Sequence, residues 1–83
     1  MVGPMNTKTR LDLGEVARTR SLARSGAARS IRIAAGVSLA EVASQLEVSP
    51  STVHRWETGL RSPRASSAVE YGVLLRSLIG TQV

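Results

Sequence analysis

The segment from residue 50 to residue 58 (PSTVHRWET) carries side chains suited to hydrogen bonding with a partner molecule. Val53 and Trp56, three positions apart, fall on one face of a helix and predict an anchored side. The other side chains point away from that anchor: Ser51, Thr52, His54, Arg55 and Thr58. Small hydroxyl residues let a helix approach a surface closely, and an arginine one turn further on reaches past them with a fork of N–H donors. The segment therefore predicts recognition through hydrogen bonds.

Two short helices joined by a tight turn are needed to position these side chains. Ser38 is a candidate N-cap of the first helix, because its hydroxyl can accept from the first turn while Glu41 reaches back to the Ser38 N–H. Ser49 is a candidate N-cap of the second, with Pro50 at the first helical position, where a missing N–H costs nothing. Gly59 can adopt the left-handed conformation that ends this helix. The apolar positions expected to face inward are Val42, Ala43, Leu46, Val53 and Trp56.

A helix with this outward face matches the shape and chemistry of double-stranded DNA. An α-helix fits the major groove of B-DNA, where an arginine fork can bind both acceptors of a guanine edge. A helix N-terminus also favours phosphate, because its free N–H groups and dipole attract negative charge. The net charge is +5, and ten of the eleven basic residues are arginine, which favours bidentate phosphate and base-edge contacts.

Residues 38–59 resemble the helix-turn-helix domains of the phage repressor and Cro family, also called the Cro/C1-type or XRE family. The matching string is Ser38-x-x-Glu41-Val42-Ala43-x-x-Leu46-x-Val48-Ser49-x-x-Thr52-Val53-x-x-Trp56-Glu57-x-Gly59. With its flanking helices, the resemblance covers about residues 27–79. It implies an all-α, lambda-repressor-like bundle of about four to five short helices that contains a helix-turn-helix.

The resemblance also implies a division of roles among the site residues. Base edges are expected to be contacted by Pro50, Ser51, Thr52 and Arg55. The DNA backbone is expected to be contacted by Ser38, Leu39, Ser49, His54, Arg61 and Arg64. Such backbone contacts set register without carrying sequence information. Arg32 and Glu57 are expected to form a structural ion pair that holds the second helix to the scaffold.

Two positions depart from the family pattern. Glu47 occupies a turn position that is usually glycine because it often needs a positive φ, and another residue there costs about 1–2 kcal/mol. The sequence leaves open whether the turn keeps that geometry or changes it and tilts the second helix. Leu39 stands where many relatives carry a phosphate-binding glutamine. Only backbone N–H groups, and Ser38 or Ser44, then remain for that contact.

The chain before the motif predicts two further helices. Residues 11–25 are expected to be helical, with Asp12 as N-cap and Glu15 at the capping-box position. Gly26 separates this helix from a second one over residues 27–35, although a single helix running through the glycine is the competing interpretation. The expected apolar positions of the first helix are Leu13, Val16, Ala17, Leu22 and Ala23, and four arginines are expected to be mostly solvated: Arg18, Arg20, Arg24 and Arg29.

The ends of the chain complete the predicted organisation. Residues 65–79 form the last helix, and its surplus of apolar positions indicates either core packing or a homodimer surface. The domain is expected to span residues 11–79, with residues 1–10 as a flexible arm and residues 80–83 as a tail.

Composition argues against several other classes of protein. Cysteine is absent and His54 is the only histidine, so a metal site and a Cys–His or Ser–His–Asp catalytic apparatus are not expected. No apolar run approaches the length that spans a membrane, and the N-terminus lacks the apolar core of a signal peptide. We expect a cytoplasmic protein that is not an enzyme and that uses no metal, cofactor or small-molecule ligand.

These features together predict a sequence-specific double-stranded DNA-binding protein that regulates transcription, in the manner of a Cro-like repressor. Two alternatives stay open. One is a protein-interaction module of antitoxin type that uses the apolar last helix. The other is an excision-control or architectural DNA-binding protein.

Overall fold

Five helices account for most of residues 12–80, the part of the chain that the computed structural model describes. They are α1 (Leu13–Ser25), α2 (Ala27–Ala34), α3 (Leu39–Leu46), α4 (Pro50–Glu57) and α5 (Ala65–Gly80). No strand occurs within residues 12–80, so the all-α prediction is confirmed for this range. The predicted arm, residues 1–10, lies outside the described residues. Residues 81–83 of the predicted tail also lie outside the described residues, and Gly80 is the last residue of α5.

Gly26 divides the first helical stretch into two helices, as predicted. Its φ of 93° is left-handed, a conformation that glycine adopts without steric cost. Its N–H donates to the Ala23 carbonyl oxygen at 3.4 Å, which closes the end of α1. The chain therefore changes direction here, and α1 and α2 can both pack against α5.

The core lies between α5 and the other helices. Tyr71 and Leu75 of α5 are each 1 % exposed, and the Tyr71 ring lies 5.2 Å from the Trp56 ring, centroid to centroid, at a tilt of 39°. Burial raises the pKa of the Tyr71 phenol. The cluster is completed by Ala23, Ala28, Val42, Ala43, Leu46 and Val53. The last helix therefore packs into the core against Trp56, which is one of the two alternatives predicted for its apolar positions.

The buried face of α1 differs from the predicted one. Leu13 is 71 % exposed and Ala17 is also exposed, whereas two polar side chains are buried: Glu15 and Thr19. Gly72 of α5 lies against both, because a Cβ at this position would overlap Glu15 Oε2 and Thr19 Oγ1. The close approach of the two helices therefore selects which face of α1 is covered.

Glu15 does not complete a capping box at the start of α1. Asp12 is the N-cap as predicted, and its Oδ1 accepts from the Glu15 N–H at 3.2 Å. The Glu15 carboxylate instead accepts from Arg76 at 2.6 Å and from Arg18 at 3.2 Å. The bond from Arg76 ties α1 to α5, and the bond from Arg18 lies within α1.

The turn between α3 and α4 keeps a left-handed residue even though that residue is not glycine. Glu47 has φ 59° and ψ 43°. The Val48 N–H donates to the Ala43 carbonyl at 2.9 Å and the Glu47 N–H to the Ser44 carbonyl at 3.2 Å, the pattern of a Schellman motif. The family geometry is thus retained, at the approximate cost of 1–2 kcal/mol for a side chain in this region.

Candidate nucleic-acid interface

Helix α4 is held with one face in the core and the other in solvent. Ser49 is its N-cap, with Oγ accepting from the Thr52 N–H at 3.2 Å, and Pro50 is the first helical residue. Val53 is 0 % and Trp56 4 % exposed. The predicted capping and anchoring of this helix are therefore confirmed.

A buried ion pair joins α4 to α2. Arg32 Nε donates to Glu57 Oε2 at 2.7 Å and Arg32 Nη2 donates to Glu57 Oε1 at 3.0 Å. Arg32 Nη1 also donates to the Val37 carbonyl at 3.0 Å, which secures the segment that leads into α3. The hydrogen bonds to Glu57 raise the pKa of Arg32. The pair implied by the family resemblance is therefore present, and it holds the carboxyl end of α4 against α2.

The predicted base-contacting residues lie together on the solvent side of α4. Pro50, Ser51 and Arg55 are exposed. Thr52 is half-buried, and its hydroxyl shares a 2.9 Å hydrogen bond with Ser49 Oγ. The orientation of Thr52 is therefore set by the cap, while the two neighbouring polar side chains are available to a partner.

The start of α3 places two of the predicted backbone-contacting residues at a helix N-terminus. Ser38 Oγ accepts from the Glu41 N–H at 3.0 Å, and the Ser38 N–H donates to Glu41 Oε1 at 2.8 Å. This completes the predicted capping box, and the hydrogen bond from the Ser38 backbone lowers the pKa of Glu41. Leu39 is half-buried against the core.

The loop after α4, residues 59–64 and here called the exit loop, presents the two arginines that are predicted to contact the DNA backbone. The Arg55 carbonyl accepts from the N–H groups of Leu60, at 2.9 Å, and Arg61, at 3.2 Å. Pro63 is fully buried, which anchors the middle of the loop, whereas Arg61 and Arg64 are exposed on either side of it. Both arginines, which are predicted to contact the DNA backbone, are thus exposed on a loop that is anchored between them.

Two clefts flank α4 and bring most of the predicted site residues together. The basic cleft lies between α4, the exit loop and the start of α5, and includes Thr52, Arg55, Arg61 and Arg64. The apolar cleft, of about 420 Å³, lies between the starts of α3 and α4 and is lined by Leu39, Pro50, Ser51, His54, Arg55 and Leu60. Among residues 12–80, no carboxylate lines either cleft. Ser38 and Ser49 line neither of them.

Arg20 supports this interface, although the sequence predicts a mostly solvated side chain at this position. Its Nε donates to the Pro63 carbonyl at 2.9 Å, across 43 positions of sequence, and its side chain is half-buried. No other hydrogen bond reaches Pro63 from the part of the chain that the structure describes. No local pattern in the sequence signals this contact, because the two residues meet only when α1 packs beside the exit loop.

No helix within residues 12–80 is both long enough and apolar enough to cross a membrane. In the same range, no group of three or more acidic or histidine side chains is arranged to hold a metal ion.

Comparison with known proteins places this geometry in a family. Residues 25–78 match the family model described as a helix-turn-helix domain, and this range includes α2 to α4 and nearly all of α5. No curated protein matched the chain. No solved structure matched it either. The chain therefore belongs to the helix-turn-helix domain family, and the helix-turn-helix formed by α3 and α4 is of the DNA-binding kind.

Proposed function

We propose that this protein binds double-stranded DNA in a sequence-specific manner and regulates transcription as a repressor of the phage repressor and Cro type. One observation carries the proposal: α4 is fixed from behind by Val53, Trp56 and Glu57, all buried, while its opposite face presents Ser51 and Arg55 to solvent. A rigid helix with an exposed hydrogen-bonding face can enter the major groove without rearranging the fold.

In this proposal the site residues divide into readers, which contact base edges, and clamps, which contact the DNA backbone. Ser51, Thr52 and Arg55 contact base edges, and Pro50 packs against a base or sugar. His54 lies near the groove wall or a phosphate. The clamps on the backbone are Arg61, Arg64, Ser49 and the N-terminus of α3 at Ser38 and Leu39. Occluding a promoter is sufficient for repression, so the proposed mechanism needs no catalytic residue or cofactor.

The direct test is selection of binding sites from a randomised duplex library at physiological salt, followed by sequencing. Enrichment of a defined site supports the proposal. Two inverted half-sites about one helical turn apart indicate a homodimer, and a single asymmetric site indicates a monomer. Salt-sensitive binding without enrichment would leave only non-specific attraction to the basic surface.

Two arginine substitutions separate reading from clamping. Arg55→Ala is expected to weaken binding to the selected site by about 1–3 kcal/mol and to relax selectivity at one base pair. Arg64→Ala is expected to lower the affinity for all DNA sequences alike and to reduce the magnitude of the slope of log K against log salt by about one. Arg24→Ala is the matched control, because Arg24 is exposed on α1 and its side chain forms no hydrogen bond or ion pair with residues 12–80. Equal losses on every DNA from Arg55→Ala would contradict its role as a reader.

One observation favours a second candidate function, a protein-interaction module of antitoxin type. Val73 and Ile79 on α5 are 53 % and 49 % exposed, which leaves apolar surface uncovered on that helix. If this candidate is correct, Ile79→Ala abolishes biological activity whereas Arg55→Ala does not. The opposite result supports DNA recognition through α4.

A further inference from the structure

Leu60 is held in solvent beside the candidate DNA-binding face. Its side chain is 75 % exposed, more than any other large apolar side chain of residues 12–80. The exposure is a consequence of the turn, because the Leu60 N–H donates to the Arg55 carbonyl at 2.9 Å and so fixes the residue next to the end of α4. The fold therefore leaves the Leu60 side chain exposed to solvent.

Leu60 forms one wall of the apolar cleft. The cleft also contains the half-buried Leu39 and the exposed Pro50, and the polar side chains on its rim come from α4. Arg55 lines both the apolar cleft and the basic cleft, so both clefts adjoin this side chain. An occupant of the apolar cleft is consequently placed next to the arginine that we propose reads a base.

The charges around this surface favour a polyanion as the occupant. No carboxylate of residues 12–80 lines the apolar or the basic cleft, which together contain Arg55, Arg61 and Arg64. A third cleft, between α3 and α5, differs because Glu47 and Glu70 line it. Apolar surface surrounded only by positive charge complements a nucleic acid better than it complements a second copy of this basic chain.

The apolar group that double-stranded DNA offers in its major groove is the 5-methyl group of thymine. On the basis of the proposed function, we infer that the apolar cleft receives a thymine methyl group, with Leu60 and Leu39 as its walls. The cleft then selects thymine at one position of the binding site, next to the base pair contacted by Arg55. This selectivity comes from apolar contact and needs no hydrogen bond.

The test removes the methyl group from the DNA. In the site obtained by library selection, each thymine is replaced in turn by deoxyuridine, which keeps every hydrogen-bonding group of the base. At one thymine we expect the wild-type Kd to rise about fourfold, the change that corresponds to roughly 0.8 kcal/mol for one methyl-sized group removed from water. The other thymines are expected to tolerate the replacement.

A matched pair of leucine variants assigns the effect to the cleft. Leu60→Ala is expected to bind the thymine and deoxyuridine sites equally, because the methyl group loses its wall. Leu13→Ala removes a leucine of similar exposure, 71 %, that does not line the cleft, and it is expected to keep the fourfold difference. Both leucines are exposed, so neither change is expected to unfold the domain, and thermal denaturation checks this.

The outcomes separate this inference from the proposed function. A selected site in which no thymine responds to deoxyuridine overturns the inference and leaves sequence-specific binding intact. A thymine that responds equally in wild type and Leu60→Ala also overturns it, because the methyl group is then read elsewhere. Failure to select any site counts against the proposed function itself.

Discussion

Glu57 and Glu15 are both glutamates that pair with an arginine of another helix, but they lie in two different parts of the molecule. Glu57 belongs to the helix-turn-helix half, which comprises α2 to α4 and the loop that follows α4, and Glu15 belongs to the scaffold half, which comprises α1 and α5. Glu57 joins α4 to α2 within the helix-turn-helix half, and its side chain is 2 % exposed while that of Arg32 is 12 % exposed. Glu15 joins α1 to α5 in the scaffold half, and its partners Arg76 and Arg18 are 57 % and 62 % exposed. One pair is therefore enclosed by protein and the other is open to water on the arginine side.

This difference shows that burial, more than distance, decides what an ion pair does here. The shortest N–O distances are similar, 2.7 Å for Glu57 and 2.6 Å for Glu15. Removing one partner of an enclosed pair leaves a buried charge without compensation, whereas water and salt replace much of an exposed one. Helix α4 is thus fixed by an ion pair whose loss is costly. Helices α1 and α5 are joined by a weaker ion pair, which is supported by their close packing at Gly72.

The largest effect is expected from breaking the enclosed ion pair between Arg32 and Glu57. Glu57→Gln is predicted to lower the free energy of unfolding by about 3–5 kcal/mol, because Arg32 stays buried and charged without its carboxylate. Urea denaturation at neutral pH measures the loss. Affinity for the selected DNA should fall as well, since the carboxyl end of α4 loses its hold on α2. A loss below about 1 kcal/mol would mean that the two pairs do not differ as described.

The second prediction concerns close packing in the scaffold half. Gly72→Ala is predicted to destabilise the protein by about 1–2 kcal/mol, although alanine favours a helix over glycine by about 1 kcal/mol. The new Cβ would overlap Glu15 Oε2 and Thr19 Oγ1, and the latter belongs to a β-branched side chain that cannot rotate away cheaply. Gly14→Ala is the control, because its Cβ would meet only Asp12 Oδ1, at 3.3 Å. Increased stability of Gly72→Ala would show that α1 and α5 are less closely packed.

The third prediction concerns the contact between the two halves. Arg20→Ala removes the hydrogen bond to the Pro63 carbonyl and is predicted to cost about 1 kcal/mol of stability. It should also weaken DNA binding by freeing the exit loop. Freeing the exit loop weakens binding by displacing Arg64. The losses in affinity from Arg20→Ala and Arg64→Ala should therefore be less than additive in the double variant. Arg24→Ala carries the same charge change and should combine additively with Arg64→Ala.

The smallest effect is expected at the open pair. Glu15→Gln is predicted to lower stability by at most about 1 kcal/mol at pH 7. The hydrogen bond from Arg76 lowers the pKa of the Glu15 carboxyl from its ordinary value of 4.5. The stabilisation that the Glu15 carboxylate provides is therefore complete above pH 4.5, and it is lost as the pH falls through the lower pKa of the folded state. The free energies of unfolding of wild type and variant should consequently converge in acid. Glu70→Gln, an exposed glutamate of α5, is the control and should change stability little at any pH.

Most of the helix-turn-helix half was predictable because its determinants are local. The caps at Ser38 and Ser49, the break at Gly26, and the inward positions of Val53 and Trp56 each depend on residues a few positions apart. Helical periodicity and side-chain capping operate over that same range, so the sequence predicts them correctly. The pair between Arg32 and Glu57 was anticipated only through the family resemblance.

Features of the scaffold half were missed because their partners are distant in sequence. Glu15 reads as part of a local capping box, yet it pairs with Arg76, 61 positions away. Arg20 reads as a solvated arginine, yet it reaches Pro63, 43 positions away. Neither contact leaves a periodic pattern in the chain.

Local interactions along the chain fix where the helices begin, which face of α4 is anchored and which side chains α4 presents to solvent. Packing between helices instead covers α1 along Glu15 and Thr19 and brings Arg20 to Pro63. It also places Leu39 and Leu60, from two separate segments, in one cleft beside Arg55. The reason is physical: capping and periodicity act within a turn or two of helix, whereas the choice among competing faces and pairs is made by packing between helices.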